Sequence, residues 1–186
     1  MERTPALLTD EERIDWLRLI RTRFVGPRLF IDLLERFGTA AAALEAIPEL
    51  SRRGGGRRKF SIPGRDAIIA ELETLTAAGG TAIGLYEPAY PETLAAIADP
   101  PPVLFVRGVT EILSRPSVAI VGARNASANG RRFAAEIAEQ LGEAGYIVVS
   151  GLARGIDAAA HTGALKTGTV AAIAGGIDVV YPPEHE

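Results

Sequence analysis

Cysteine is absent from the 186 residues, which removes disulfides, thiol nucleophiles and thiolate metal sites together. Histidine is nearly as scarce, with only His161 and His185. No apolar run reaches the roughly 18 residues that a membrane span needs. The N-terminal segment carries Asp10, Glu11 and Glu12 in place of an apolar secretory core, so the expected location is cytoplasmic. A global excess of positive charge is missing too: the formal net charge is −3. It is unevenly divided, with 12 Lys+Arg against 9 Asp+Glu through Ile62 and 8 against 14 from Pro63 onward. Any nucleic-acid contact must therefore come from local patches. What is present, 47% hydrophobic and 23% charged residues, is the profile of a globular chain able to bury a core.

The first 62 residues read as helices. Thr9 to Phe24 has Thr9 or Asp10 as cap, acids in its first turn, and Ile14, Leu17 and Ile20 at helical spacing. Val25-Gly26-Pro27 breaks it, and Pro27 is placed to open the next helix, Arg28 to Phe37, which Gly38 closes. A short helix follows over Thr39 to Ile47, then the basic loop RRGGGRRK (Arg52 to Lys59) and a helix over Gly64 to Ala78. Beyond it the period changes. Ala82 to Tyr86 and Val103 to Arg107 are expected strands, separated by a proline-marked segment. Val118 to Gly122, Tyr146 to Ser150 and Val170 to Ala174 are three further strands, alternating with helices over Asn129 to Glu143 and Asp157 to Lys166. Such apolar runs read as parallel strands covered on both faces, in a right-handed βαβαβ unit. The expected division is a helical domain over 1–62 and an α/β domain over 63–186.

Two loops at the carboxyl ends of neighbouring strands carry the chemistry. In open α/β sheets that edge is the ligand crevice. In GARNASANG (Gly122 to Gly130), Gly122 allows close approach to the backbone and the following helix offers N–H groups to an anion. Arg124 adds a planar fork for phosphate, and Ser127 supplies a hydroxyl or a cap. The dinucleotide fingerprint is not met, because Arg124 stands where its second glycine should be. In SGLARGID (Ser150 to Asp157), Gly151 and Gly155 keep the loop low, Ser150 can donate and Arg154 faces phosphate or solvent. Together the loops suit a phosphate-bearing ligand better than simple turns.

Asp157 and His161, four apart, share a helix face as a metal or acid–base pair, or as an N-cap aspartate and a structural histidine. The second reading is adopted, since no further His or Cys lies nearby to complete a metal shell. Gly175-Gly176 could finish the rim of the crevice, and Asp178 there is read as structural. The basic loop Arg52 to Lys59 either touches nucleic-acid phosphates or is simply solvated. The turn at Val25-Gly26-Pro27 is only weakly similar to helix-hairpin-helix turns, which carry glycine on both sides of an apolar residue, so it is assigned to core packing.

Five segments in one order resemble the DNA-processing protein A family (DprA, also called Smf). They are YPETL (Tyr90 to Leu94), DPPPVLFVRG (Asp99 to Gly108), SVAIVGARNAS (Ser117 to Ser127), IVVSGLARGIDAAAHTGAL (Ile147 to Leu165) and AGGIDVVYPPEH (Ala174 to His185). The helical head, with DEERIDWLRLI and VGPRLFIDLLERFG, is similar to that family's N-terminal domain. The resemblance implies an α/β fold: an extended Rossmann-like parallel sheet, of which this chain holds the first half, after a small all-helical SAM-like domain. It implies a single-stranded DNA-binding protein of natural transformation that protects incoming strands and assists loading of the RecA recombinase. It further implies a homodimer, no nucleotide cofactor, no metal and no established catalysis.

By position, Gly122, Ala123 and Arg124 match the loop that grips a DNA phosphate, while Ser127, Ser150, Gly151, Ala153 and Gly155 match its glycine-lined floor. Asp157 and His161 match positions of expected structural role. Family members continue past the point where this sequence stops, through later strands, a basic segment and the dimer interface. A half sheet is expected to leave an unpaired edge and a bare apolar face, and to bind DNA poorly by itself. Two rivals use the same loops: an enzyme that binds a nucleotide or processes nucleoside phosphates, and a nucleotide-sensing interaction domain.

Overall fold

The computed structural model describes residues 6–53, 60–177 and 179. Most of the basic loop (54–59), Asp178, Tyr181 to Pro183 and His185 lie outside the described residues. By contacts the chain forms two compact units, Met1–Gly108 and Val109–Glu186. Among the described residues no helix is long and apolar enough to cross a membrane.

The first unit starts with helices α1 (Asp10–Arg21), α2 (Pro27–Phe37), α3 (Ala40–Arg53) and α4 (Arg65–Ala77). Thr9, not Asp10, caps α1. Its hydroxyl accepts from the Glu12 amide at 3.2 Å and the Glu12 carboxylate accepts from the Thr9 amide at 2.9 Å, a reciprocal cap worth about 1 kcal/mol. Gly38, at φ +80, ends α2 by donating to Leu34 O. The third helix runs past its expected end at Ile47, through Pro48, to Arg53. Trp16 meets Phe30 edge-on at 5.0 Å, within a core that includes Leu17, Leu19, Leu34 and Ile47.

Strands β1 (Gly80–Gly84) and β2 (Val103–Arg107) form an antiparallel pair with Ala82 opposite Phe105. Ile68 of α4 is buried with Ile14 and Leu17 of α1, and Val103 and Phe105 of β2 pack on that cluster. Helix α4 and the hairpin thus pack with the helical head, whereas the expected division after residue 62 places them with the α/β part. An ion pair fastens the same region: Arg13 grips Glu87 at 2.8 and 2.9 Å and donates to the carbonyls of Ala82 and Leu8. Glu87 also accepts from the amides of Leu8 and Gly84. Side chains thereby satisfy backbone groups of Ala82 and Gly84 that β2 does not reach, which protects a strand edge. Burial by itself would raise the Glu87 pKa, but hydrogen bonds from Arg13, Gly84 and Leu8 together outweigh it and hold the carboxyl below its ordinary value.

A short helix α5 (Glu92–Ala95) lies between β1 and β2, and a 3₁₀ turn spans Thr110–Ser114. The second unit holds β3 (Ser117–Ala119), α6 (Ala128–Glu143), β4 (Ile147–Ser150), α7 (Ile156–Ala164) and β5 (Thr169–Ala171). The sheet is parallel in the order β3-β4-β5, with Val118 beside Val148 and Val149 beside Val170. The strands match those expected, though β3 pairs over fewer residues than the apolar run. Ala138 of α6 and Ala160 and Ala164 of α7 share one cluster with Val148, packed against Ile120 and Leu141. Both helices therefore cover the same side of the sheet. Cover on both faces does not extend to β3 among the described residues: the alternate positions Ser117, Ala119 and Val121 are exposed, Val121 by 74%, which is the bare face expected of a half sheet. Continuous apolar character alone cannot say which face finds a partner.

Candidate functional site

The two loops singled out in the sequence meet at the carboxyl ends of β3 and β4. Ile156, the first residue of α7, donates its amide to Ala123 O at 3.2 Å. Gly155 caps α7 at φ +83, and a Cβ there would fall 2.2 Å from Ala123 O and 2.6 Å from Arg124 O. Only glycine allows this contact, both for its backbone angle and for the space. The vacancy at Gly122 has a different use from the one expected. A Cβ there would strike the Ile156 side chain at 2.6 Å, so the absent side chain makes room for Ile156 and locks one loop to the other.

Beneath this junction the polar side chains are already engaged. Ser150 is buried and its hydroxyl donates to Ile120 O at 2.6 Å, across to the neighbouring strand. Asp157 is buried and accepts from the Gly151 amide at 3.1 Å. It sits inside the first turn of α7 and is not the N-cap; that position belongs to Gly155. The Thr169 hydroxyl donates its one hydrogen to Val148 O at 2.7 Å, so the contact with His161 Nδ1 at 2.8 Å must have Nδ1 as donor. Asp157 and His161 therefore brace the loop and β5. Among the described residues no group of three potential metal ligands occurs. Ala153 O accepts from the Ala158 amide at 3.0 Å, and Leu152 holds the left-handed region at φ +56, a costly angle for a branched residue.

The exposed part of the site is basic. Ser127 caps α6 by accepting from the Gly130 amide at 3.1 Å. The first turn of that helix carries no acid, so its N-terminal field is not neutralised by a side-chain carboxylate. Arg124 is exposed. Arg131, which sequence reasoning passed over, folds back to donate to Ala126 O at 2.8 Å and sets a second guanidinium beside the loop. Its signal in the sequence was a basic residue just after a serine cap, where first turns more often carry acids. Two arginines and a helix N-terminus around a backbone-lined crevice can hold phosphate groups. The crevice offers no uncommitted acid–base pair among the described side chains.

Comparison with known proteins identifies the family. Residues 81–186 match the family described as DNA recombination-mediator protein A, and residues 10–74 match the DprA-like N-terminal HHH domain. The latter match includes the turn at Val25-Gly26-Pro27, so the likeness of that turn to helix-hairpin-helix turns is stronger than its lack of a first glycine suggests, and Val25 is buried within it. The chain is 31% identical over 190 residues to Protein Smf of Synechocystis sp., covering 96% of this chain and 48% of that protein. It is 42% identical over 99 residues to the DNA processing protein DprA of Streptococcus pneumoniae, covering 52% of this chain and 35% of that one. The solved structure of the Streptococcus pneumoniae protein superposes with a TM-score of 0.69 at 24% identity, over 97% of this chain and 63% of that one. That of DNA processing protein A from Helicobacter pylori, described for its single-stranded DNA binding mode, gives a TM-score of 0.51 at 29% identity, over 57% and 47%. The chain thus spans about half the length of the first of these relatives.

Proposed function

The chain belongs to the DNA recombination-mediator protein A (DprA/Smf) family, and from that premise we propose that it binds single-stranded DNA through the two loops at the ends of β3 and β4. The contact set is Gly122, Ala123, Arg124, Ser127, Ser150, Gly151, Ala153 and Gly155. Arg124 engages a phosphate from the surface, and the glycine-bearing backbone forms the floor. Ser150 acts from beneath, by holding β3 and β4 in register. The observation that carries the proposal is the junction at Gly155, which presses one loop onto the other and leaves Arg124 and Arg131 at the surface beside a helix N-terminus without acids. Backbone contacts of this kind position a strand without reading its bases.

The same proposal makes the protein a binder and not an enzyme, because Ser150, Asp157 and His161 are committed to structural hydrogen bonds. It places the chain in the cytoplasm, protecting incoming DNA during transformation and assisting RecA loading, with a second copy of itself as partner.

Fluorescence anisotropy with a labelled oligothymidylate tests the site. Arg124→Ala should weaken binding about tenfold and lower the slope of log K against log salt by about 0.7, the loss of one single-strand phosphate contact. Unchanged affinity, with a nucleotide raising the melting temperature, would transfer the site to the nucleotide-binding reading.

A further inference from the structure

Gly122, Gly151 and Gly155 each leave room where a side chain would be, and in each case the fold fills that room from within. At Gly122 a Cβ would meet Cγ1, Cβ and Cγ2 of Ile156 at 2.6, 2.8 and 2.9 Å. At Gly151 it would meet the Asp157 carboxylate at 2.8 Å, and at Gly155 the carbonyl oxygens of Ala123 and Arg124. Ile156 also reaches the first turn of α6, where its Cδ1 lies 3.7 Å from the place a Cβ on Gly130 would take. The Gly130 amide is itself engaged, donating to the Ser127 hydroxyl at 3.1 Å. The spaces thus hold an apolar side chain, a carboxylate and two carbonyl oxygens, none of which can donate to an anion. The guanidinium-bearing residues Arg124 and Arg131 are exposed.

A terminal phosphate and an internal phosphodiester need different sites. The terminal group carries about two negative charges and three free oxygens. It is held best where glycines let it settle onto backbone amides at a helix N-terminus. The internal group carries a single charge and two free oxygens, and its ester arms keep it from settling in. A guanidinium fork at the surface matches it. We infer that the crevice selects the internal phosphodiesters of a strand against terminal phosphates, whether of a free nucleotide or of a 5′-phosphorylated end. Ile156 is the residue that determines this choice, because it fills the space between the end of β3 and the first turn of α6. The Asp157 carboxylate acts in the same direction from the other loop, since it repels the more highly charged group more strongly. This selectivity rests on the single-stranded DNA reading of the loops and narrows their ligand.

Competition on the full chain supplies the test. A 3′-labelled oligothymidylate serves as tracer, with unlabelled 5′-hydroxyl and 5′-phosphorylated oligothymidylates of one length as competitors. On the wild-type chain the two competitors should be equivalent, and millimolar ADP should neither displace the tracer nor raise the melting temperature. Ile156→Ala should favour the 5′-phosphorylated competitor about tenfold, the effect of one added charge-assisted hydrogen bond, and ADP should raise its melting temperature. The ratio between competitors is read on one variant, so any loss of folded protein cancels from it. Ile156→Val keeps the carbons that fill the space at Gly122 and should show no such preference. A wild-type chain that prefers the phosphorylated competitor or responds to ADP would overturn the inference, as would Ile156→Ala with the competitors still equivalent. If Arg124→Ala weakens tracer binding in those cases, the loops remain a DNA site without this selectivity. If it does not, the loop reading falls as well. A tracer that does not bind the wild-type chain at all removes both.

Discussion

The two units are held together in opposite ways. In Met1–Gly108 the buried positions are large: Phe30, Leu17, Leu19, Leu34 and Ile47 are among its most buried side chains, with Trp16 against them. In Val109–Glu186 the large buried side chains are confined to Ile147 and Val148 of β4, and the buried helix positions are mostly small. Ala138, Ala160 and Ala164 line the contact between α6 and α7, and a Cβ on Gly163 would fall 2.2 Å from Ala135 O. The first unit fills space, whereas the second brings backbones close. A head built on volume should suffer most from side chains removed, and a sheet unit built on close approach should suffer most from side chains added. The second strategy also suits its loops, because a ligand crevice lined by backbone needs helices and strands set close enough that glycine alone fits between them.

The sharpest break of this contrast is Phe30→Ala, expected to cost about 4 kcal/mol. The single tryptophan, Trp16, packs in the first unit, so urea unfolding followed by its fluorescence should show a large fall in midpoint. Hydrogen exchange in α6 and α7 should stay unchanged if the units are independent in stability. The converse is Gly163→Ala, expected to cost about 3 kcal/mol through overpacking, with exchange accelerating in α6 and α7 and the Trp16 midpoint held. Should Gly163→Ala leave that exchange untouched, the close-approach account of the second unit would be wrong.

A smaller effect concerns charge. Glu87→Gln should cost about 2 kcal/mol at neutral pH, since it leaves Arg13 partly buried without its anion. Because the folded pKa of Glu87 lies below its ordinary 4.5, its contribution is complete above that value and is lost as pH falls through the folded pKa. The acid limb of the Trp16 midpoint should therefore flatten in Glu87→Gln. An unaltered limb would mean that other carboxylates carry the acid sensitivity of the first unit.

Element order, the Thr9 cap region, the stops at Gly26-Pro27 and Gly38, and the two strand-end loops were all legible in the sequence. Each depends on local backbone preference or on hydrophobic period, which neighbours along the chain determine. The family likeness was legible too, since it rests on unbroken motifs. Other features depended on partners far along the chain. Arg13 and Glu87 stand 74 residues apart, and neither is unusual in its own segment. In sequence Gly122 reads as an opening for a ligand, but the Ile156 side chain fills that space, and Asp157 reads as a cap, but its carboxylate accepts from the Gly151 amide. Phe24 reads as the end of a helix, but it lies in a turn held by Arg23 donating to Ser61 O and by the Phe60 ring.

The sequence by itself therefore determined the order of helices and strands and the glycine, serine and arginine content of the loops. Only the tertiary structure decided which polar groups remain at the surface to meet a ligand. Local periodicity specifies which face of an element is apolar, but a side chain's hydrogen-bond partner is chosen by whatever the fold brings within about 3 Å of it.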